Sequence, residues 1–149
     1  MTLRRRSGSS WVDTTQVRRR SGSSWTDVQT VKRWSGSAWV TVWTNLTLAL
    51  SGGTSSLTGV GASGSVSATA TASPSGGSGS YSYSWSRASG DSGISINSTT
   101  SASPTFSAVC QSGVPRTATW RCTVTSGGVS VSETVTITLT FFSRDTDPV

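Results

Sequence analysis

The chain has 149 residues, with twelve Lys and Arg against six Asp and Glu, no His and two Cys. This inventory removes the commonest general base, supplies too few thiols for a disulfide scaffold and cannot complete a tetrahedral metal site, so no catalytic residue, metal or cofactor is expected. The charge is confined to one segment: residues 1–44 hold Arg4, Arg5, Arg6, Arg18, Arg19, Arg20, Lys32 and Arg33 against Asp13 and Asp27, which accounts for the whole net charge of +6, whereas the other four cations and four anions cancel.

The same first 44 residues are one short unit written three times: RRRSGSSWVDTTQV (residues 4–17), RRRSGSSWTDVQTV (18–31) and KRWSGSAWVTVWTN (32–45). Copies one and two agree at ten of fourteen positions, and two and three at seven. Repetition at that level means one small structural unit used in series. Ser-Gly is a turn signal because Gly accepts positive φ without steric cost. The flanks suit strands, so each copy reads as strand, Ser-Gly turn and Trp-bearing strand, continued as a β-meander. Five of the seven Trp fall here, Trp11, Trp25, Trp34, Trp39 and Trp43. They read either as the core of a small sheet or as anchors buried against another chain, a role in which Trp and Arg are enriched. The Arg triplets raise nucleic acid as a partner, but side chains alternate faces along a strand, so each triplet splits across the sheet instead of forming one stripe. An acidic protein surface is the better expectation. Asp13 and Asp27 recur as part of the repeat and not as an acid–base pair.

From Leu46 the composition turns to Ser, Thr, Gly, Ala and Val, and alternation of period two replaces the repeat. It predicts strands at Leu46–Leu50, Val66–Ala72, Tyr81–Trp85, Ile94–Ile96, Phe106–Cys110, Ala118–Val124 and Val129–Leu139. Gly-, Ser- and Pro-bearing turns lie between them, at 73–80, 89–93, 111–116 and 126–128. Seven short strands in about 100 residues is the pattern of an antiparallel β-sandwich. Trp85, Phe106, Trp120 and Cys122 are its expected core, with Cys110 a second inward thiol. Either two free buried thiols or a Cys110–Cys122 bridge fits the pattern. Ser89–Gly93 reads as a polar hairpin turn, not a protease signature.

GGSGSYSYSWS followed by WRCTVT resembles an immunoglobulin-like domain over about residues 46–142, Trp85 matching the buried Trp of its third strand and Cys122 the Cys of its sixth. Ala68 and Ala70 stand where that family carries the partner Cys, so its usual disulfide is not available. The Ser/Thr/Gly-rich version is similar to the immunoglobulin-like domains of tailed-phage virion proteins. RWSGSAWVTV resembles a short repeat (apolar-x-Trp-x-Gly-x-x-Trp-Val) of phage minor tail proteins.

The expectation is an all-β chain: a Trp/Arg-rich β-hairpin repeat over 1–45, an immunoglobulin-like antiparallel β-sandwich over 46–142, and a polar tail over 143–149. The resemblances imply a non-enzymatic phage virion protein, assembled in the host cytoplasm, docked by the repeat and displaying the sandwich at the tail tip or fibre. The alternatives are a capsid decoration protein, or a bacterial surface adhesin or carbohydrate-binding module. Expected partners are other virion proteins, further copies of the chain in a ring or trimer, and a host-surface glycan or receptor. No membrane span is expected, because no apolar run is long enough. No apolar stretch follows the basic start at Arg4–Arg6, so a secretory leader is not expected either.

Overall fold

The computed structural model describes residues 4–13 and 17–144. Asp145, Asp147 and the rest of the tail beyond Arg144 lie outside the described residues, as do Met1–Leu3 and residues 14–16. All regular structure among the described residues is β. Contacts divide the chain into two compact units. One holds the described residues up to Leu48 with Pro74–Ser82 and Val124–Val131. The other holds Ala49–Ser73, Tyr83–Thr123 and the described residues from Ser132 onward.

In the first unit the three repeat copies form three separate two-stranded antiparallel sheets: β1 (Arg4–Ser7) with β2 (Ser10–Asp13), β3 (Arg18–Ser21) with β4 (Ser24–Asp27), and β5 (Thr30–Trp34) with β6 (Trp39–Thr44). The expected continuous meander does not form. A single copy spends its fourteen residues on both strands of a hairpin. The stretch to the next copy lacks the Gly that a tight second turn needs, so consecutive hairpins do not pair. Gly8 (φ 62°) and Gly22 (φ 61°) open two-residue turns in which the following Ser keeps negative φ, the Gly-X pattern favoured in hairpins.

The third hairpin is set more firmly. A register shift lies beside the Val31↔Trp43 and Lys32↔Thr41 pairs, and Trp43 and Leu46 are buried. The amide of Gly77 donates to Thr44 O and that of Asn45 to Gln29 O. A side chain at Gly76 (φ 80°) would run into Asn45 O, and one at Gly77 (φ 64°) into Ser126, so only glycine permits this close approach. Ser126, itself buried, accepts the amide of Ser78 at 2.9 Å, and Tyr81 Oη donates to Gly76 O at 2.8 Å.

The second unit holds the facing parts of two four-stranded sheets. One has the order β10 (Ser82–Gly90), β13 (Arg116–Ser126), β14 (Val129–Ser143), β8 (Thr54–Gly59). The other has β11 (Ser95–Ile96), β12 (Thr105–Gln111), β9 (Ser63–Ser75), β7 (Thr47–Gly52). Alternate residues of β9, Val66, Ala68, Ala70 and Ala72, point inward, as do Ala118, Trp120, Cys122 and Val124 of β13 and Ile137, Leu139 and Phe141 of β14. Period-two alternation is what a half-buried strand requires. Each fully buried Phe, Ile or Leu contributes about 1.5–3 kcal/mol relative to exposure. Across the sheets Phe106 meets both Trp85 (5.8 Å between ring centroids, edge-on) and Trp120 (5.0 Å).

An eighth strand joins the seven expected. β8 lies parallel to the end of β14, with Thr54 opposite Thr138 and Ser143 opposite Gly59. The chain passes from one sheet to the other at Gly52 and Gly53, with φ of 86° and 96°. A side chain at Gly52 would strike Thr69 O, and one at Gly53 would approach Thr136 O to 2.9 Å. Residues 89–93 correct the expectation of a hairpin turn: β10 and β11 belong to different sheets, so this loop also crosses between them.

Candidate docking surface

Each hairpin pairs in the same register, so each repeat position has a fixed face. Cross-strand partners share a face, and neighbours along a strand alternate. In the first hairpin Arg6 lies opposite Trp11 and Ser7 opposite Ser10. In the second, Arg18 opposes Asp27, Arg20 opposes Trp25, and Arg19 opposes Thr26. In the third, Trp34 opposes Trp39 and Arg33 opposes Val40. One face of each hairpin therefore carries its Trp with the first and third residues of the basic triplet. The other face carries the middle cation: Arg5, Arg19 or Arg33.

The Trp residues do not form a core for their own hairpins. Trp11, Trp25, Trp34 and Trp39 are 61, 64, 53 and 66 % exposed. Trp34 and Trp39 stack edge-on at 5.6 Å. This pair sits one step out from Ser35, whose amide donates to Ala38 O at 2.9 Å; it is thus a non-hydrogen-bonded pair, where side chains approach most closely. Trp43 differs from the other four and is corrected here: at 7 % exposure it is buried within its own chain and offers no anchor to a partner.

The cations divide in the same way. Arg18 Nε donates to Asp27 Oδ1 at 2.8 Å in a half-exposed ion pair. Such a pair contributes at most about 1 kcal/mol. Arg6 and Arg20 each donate Nε to the carbonyl of their own turn glycine, Gly8 and Gly22, at 3.1 Å. Arg4 is likewise engaged. Arg5, Arg19 and Arg33 are exposed and make no hydrogen bond or ion pair with a described residue. The same holds for Lys32, which faces Thr41 where the second copy has an acid.

Asp91 caps its loop: Oδ1 accepts the Gly93 amide at 2.7 Å, and Arg116 donates to both carboxylate oxygens at 3.0 and 2.9 Å. The Gly93 amide, and then the Arg116 charge, hold the Asp91 carboxyl below its ordinary value against some desolvation. A carboxyl depressed in the folded state stabilises it above the unfolded-state value, near 3.8, and that contribution disappears as pH falls through the folded one. Asp91→Asn should therefore flatten the acid limb of the stability–pH curve below about pH 4 and leave its neutral plateau shape unchanged, as read by urea unfolding at several pH values.

Arg116 Nε also donates to Val109 O at 2.7 Å. The open cleft of about 540 Å³ lined by Ala62, Ser63, Val109, Gln111, Ser112 and Arg116 thus contains a guanidinium that is already committed. Trp85 Nε1 donates to Ser101 O at 2.9 Å. Trp120 Nε1 is buried without a partner among the described residues, and Arg87 lies 5.7 Å from the Trp120 ring centroid, in cation–π range.

Cys110 and Cys122 are free thiols with no exposed surface. Cys110 Sγ lies 3.4 Å from Leu139 O, and burial pushes the Cys122 thiol up to about 11. Both thiols are closed off from reagent by burial, so neither should react with iodoacetamide at pH 8 in the folded chain, whereas both should react in denaturant; mass spectrometry of the alkylated protein would show it. Among the described residues no group of three or more His, Cys, Asp or Glu could hold a metal. Among the described residues there is likewise no helix long and apolar enough to cross a membrane.

Two facing sheets with a buried Trp on β10 and a strand that changes sheets define an immunoglobulin-like β-sandwich. Residues 44–139 match the family model described as K319L-like, PKD domain, and the chain belongs to that family. No curated protein and no solved structure matches it.

Proposed function

We propose that this is a non-enzymatic structural protein, fastened to a larger assembly by its three hairpins and displaying its immunoglobulin-like domain from it. The observation that carries the reading is the exposure of Trp11, Trp25, Trp34 and Trp39, all above half. A Trp offers on the order of 150–250 Å², and monomers rarely leave that much aromatic surface on one short segment in water. Two-stranded sheets of four or five residues per strand are also marginal alone. Another chain, or further copies of this one in a ring or trimer, would cover those faces.

The assembly we propose is a tailed-phage virion, with the chain at the tail tip or fibre. The likeness of RWSGSAWVTV to minor tail repeats supports that placement. Docking on a capsid as a decoration protein uses the same hairpins. The PKD-type domain also suits a cell-surface adhesin or carbohydrate-binding module, in which the sandwich would meet a host glycan or receptor. Immunogold electron microscopy with antibody against the sandwich separates these readings. Label at tail tips supports the proposal, label over heads selects decoration, and label confined to bacterial surfaces overturns a virion role.

A further inference from the structure

We propose that Arg5, Arg19 and Arg33 are the charge-reading residues of the repeat, and that they recognise carboxylates on an acidic protein surface, one per hairpin, on the side opposite the Trp anchors. Of the basic residues in the first two copies, Arg6, Arg18 and Arg20 are engaged by a turn carbonyl or by Asp27, and Arg4 is engaged too. The middle cation alone is uncommitted in each of these copies. It recurs at a spacing of fourteen residues, and the common register places it on the same face each time. A guanidinium with its fork of donors free matches a carboxylate in two parallel hydrogen bonds. Arg33 keeps this position in the copy whose first residue has become Lys.

The geometry disfavours nucleic acid. A single strand is held where aromatic platforms and cations line the same groove, so that bases stack while phosphates are neutralised. Here the free guanidiniums and the exposed indoles lie on opposite faces, Lys32 being the one uncommitted cation of the three copies, among the described residues, that shares a face with the indoles, and Trp25 shares its face with Asp27. A protein partner can meet the two faces with different surfaces, an apolar one for Trp and an acidic one for Arg.

The inference rests on the docking role of the hairpins but not on the assembly being a virion. It is tested on the full chain with labelled poly-L-glutamate, and with a single-stranded thymidine oligonucleotide of equal charge, by fluorescence anisotropy at two salt concentrations. Two double variants remove the same charge from the same hairpins: R5Q/R19Q and R6Q/R20Q. The expected result is polyglutamate binding that weakens with salt, falls about fivefold or more in R5Q/R19Q, and changes less than about twofold in R6Q/R20Q. Equal losses in the two variants, no binding of polyglutamate, or tighter binding of the oligonucleotide would each overturn it. A failed docking role would instead appear as insensitivity of assembly to loss of the Trp residues, which this measurement does not touch.

Discussion

Trp85→Ala should lower the stability of the chain by about 3–5 kcal/mol, the range for large aromatic truncations in a packed core. Trp85 is 3 % exposed, and its ring meets Phe106 of the opposite sheet edge-on at 5.8 Å. Its indole N–H satisfies Ser101 O at 2.9 Å. Truncation therefore removes apolar burial, one aromatic contact and one hydrogen bond, and orphans a carbonyl. Phe106 touches both Trp85 and Trp120, so the cavity opens at the centre of the aromatic cluster, where collapse is difficult. Denaturant unfolding followed by circular dichroism measures the loss. A cost under about 1 kcal/mol would mean that the two sheets do not close over Trp85.

A second large effect is expected at Trp43, and its contrast with Trp39 on the same strand is the informative part. Trp43 is 7 % exposed and Trp39 66 %. Trp43→Ala should cost about 3 kcal/mol or more, because it empties a buried site. Trp39→Ala loses only the edge-on contact with Trp34 and should cost within about 0.5–1.5 kcal/mol. Similar costs for the two would show that β6 carries no distinction between inner and outer Trp.

How much of this was legible depended on what each signal encodes. β9, β13 and β14 announce themselves because a strand with one buried face must alternate, and Val66 to Ala72 and Ala118 to Val124 do so without a break. The hairpin turns at Gly8 and Gly22 were legible because positive φ there demands Gly. β8 was not. Thr54–Gly59 has one large apolar residue, Leu57, and it is 45 % exposed; the strand is held by backbone pairing to β14, which leaves no side-chain pattern. The meander was expected because a fourteen-residue period accommodates either a continued sheet or a self-contained hairpin, and local sequence does not choose between them. Trp43 looked like its four companions because nothing in the repeat pattern distinguishes it, and its burial shows only in the folded chain. The split of each Arg triplet across two faces followed from alternation alone. That Arg5 and Arg19, unlike their neighbours in the same copies, remain uncommitted among the described residues needed the register and the positions of Asp27 and the turn carbonyls. The Asp91–Arg116 ion pair spans 25 residues of sequence and depends on the loop crossing between sheets.

In the proposed function the hairpins are the attachment device and the sandwich is the part displayed. Replacing Trp11, Trp25 and Trp39 together by Ser tests it most directly, because these side chains contribute little to the folded chain itself. The measurement is the copy number of the variant on purified particles of the proposed virion relative to the unchanged protein, by quantitative mass spectrometry, alongside a melting curve. The expected result is a soluble, all-β chain with a melting midpoint close to that of the parent and a copy number reduced about tenfold or more, the loss of a few kcal/mol of anchor burial. Normal copy number in a properly folded variant would contradict the account.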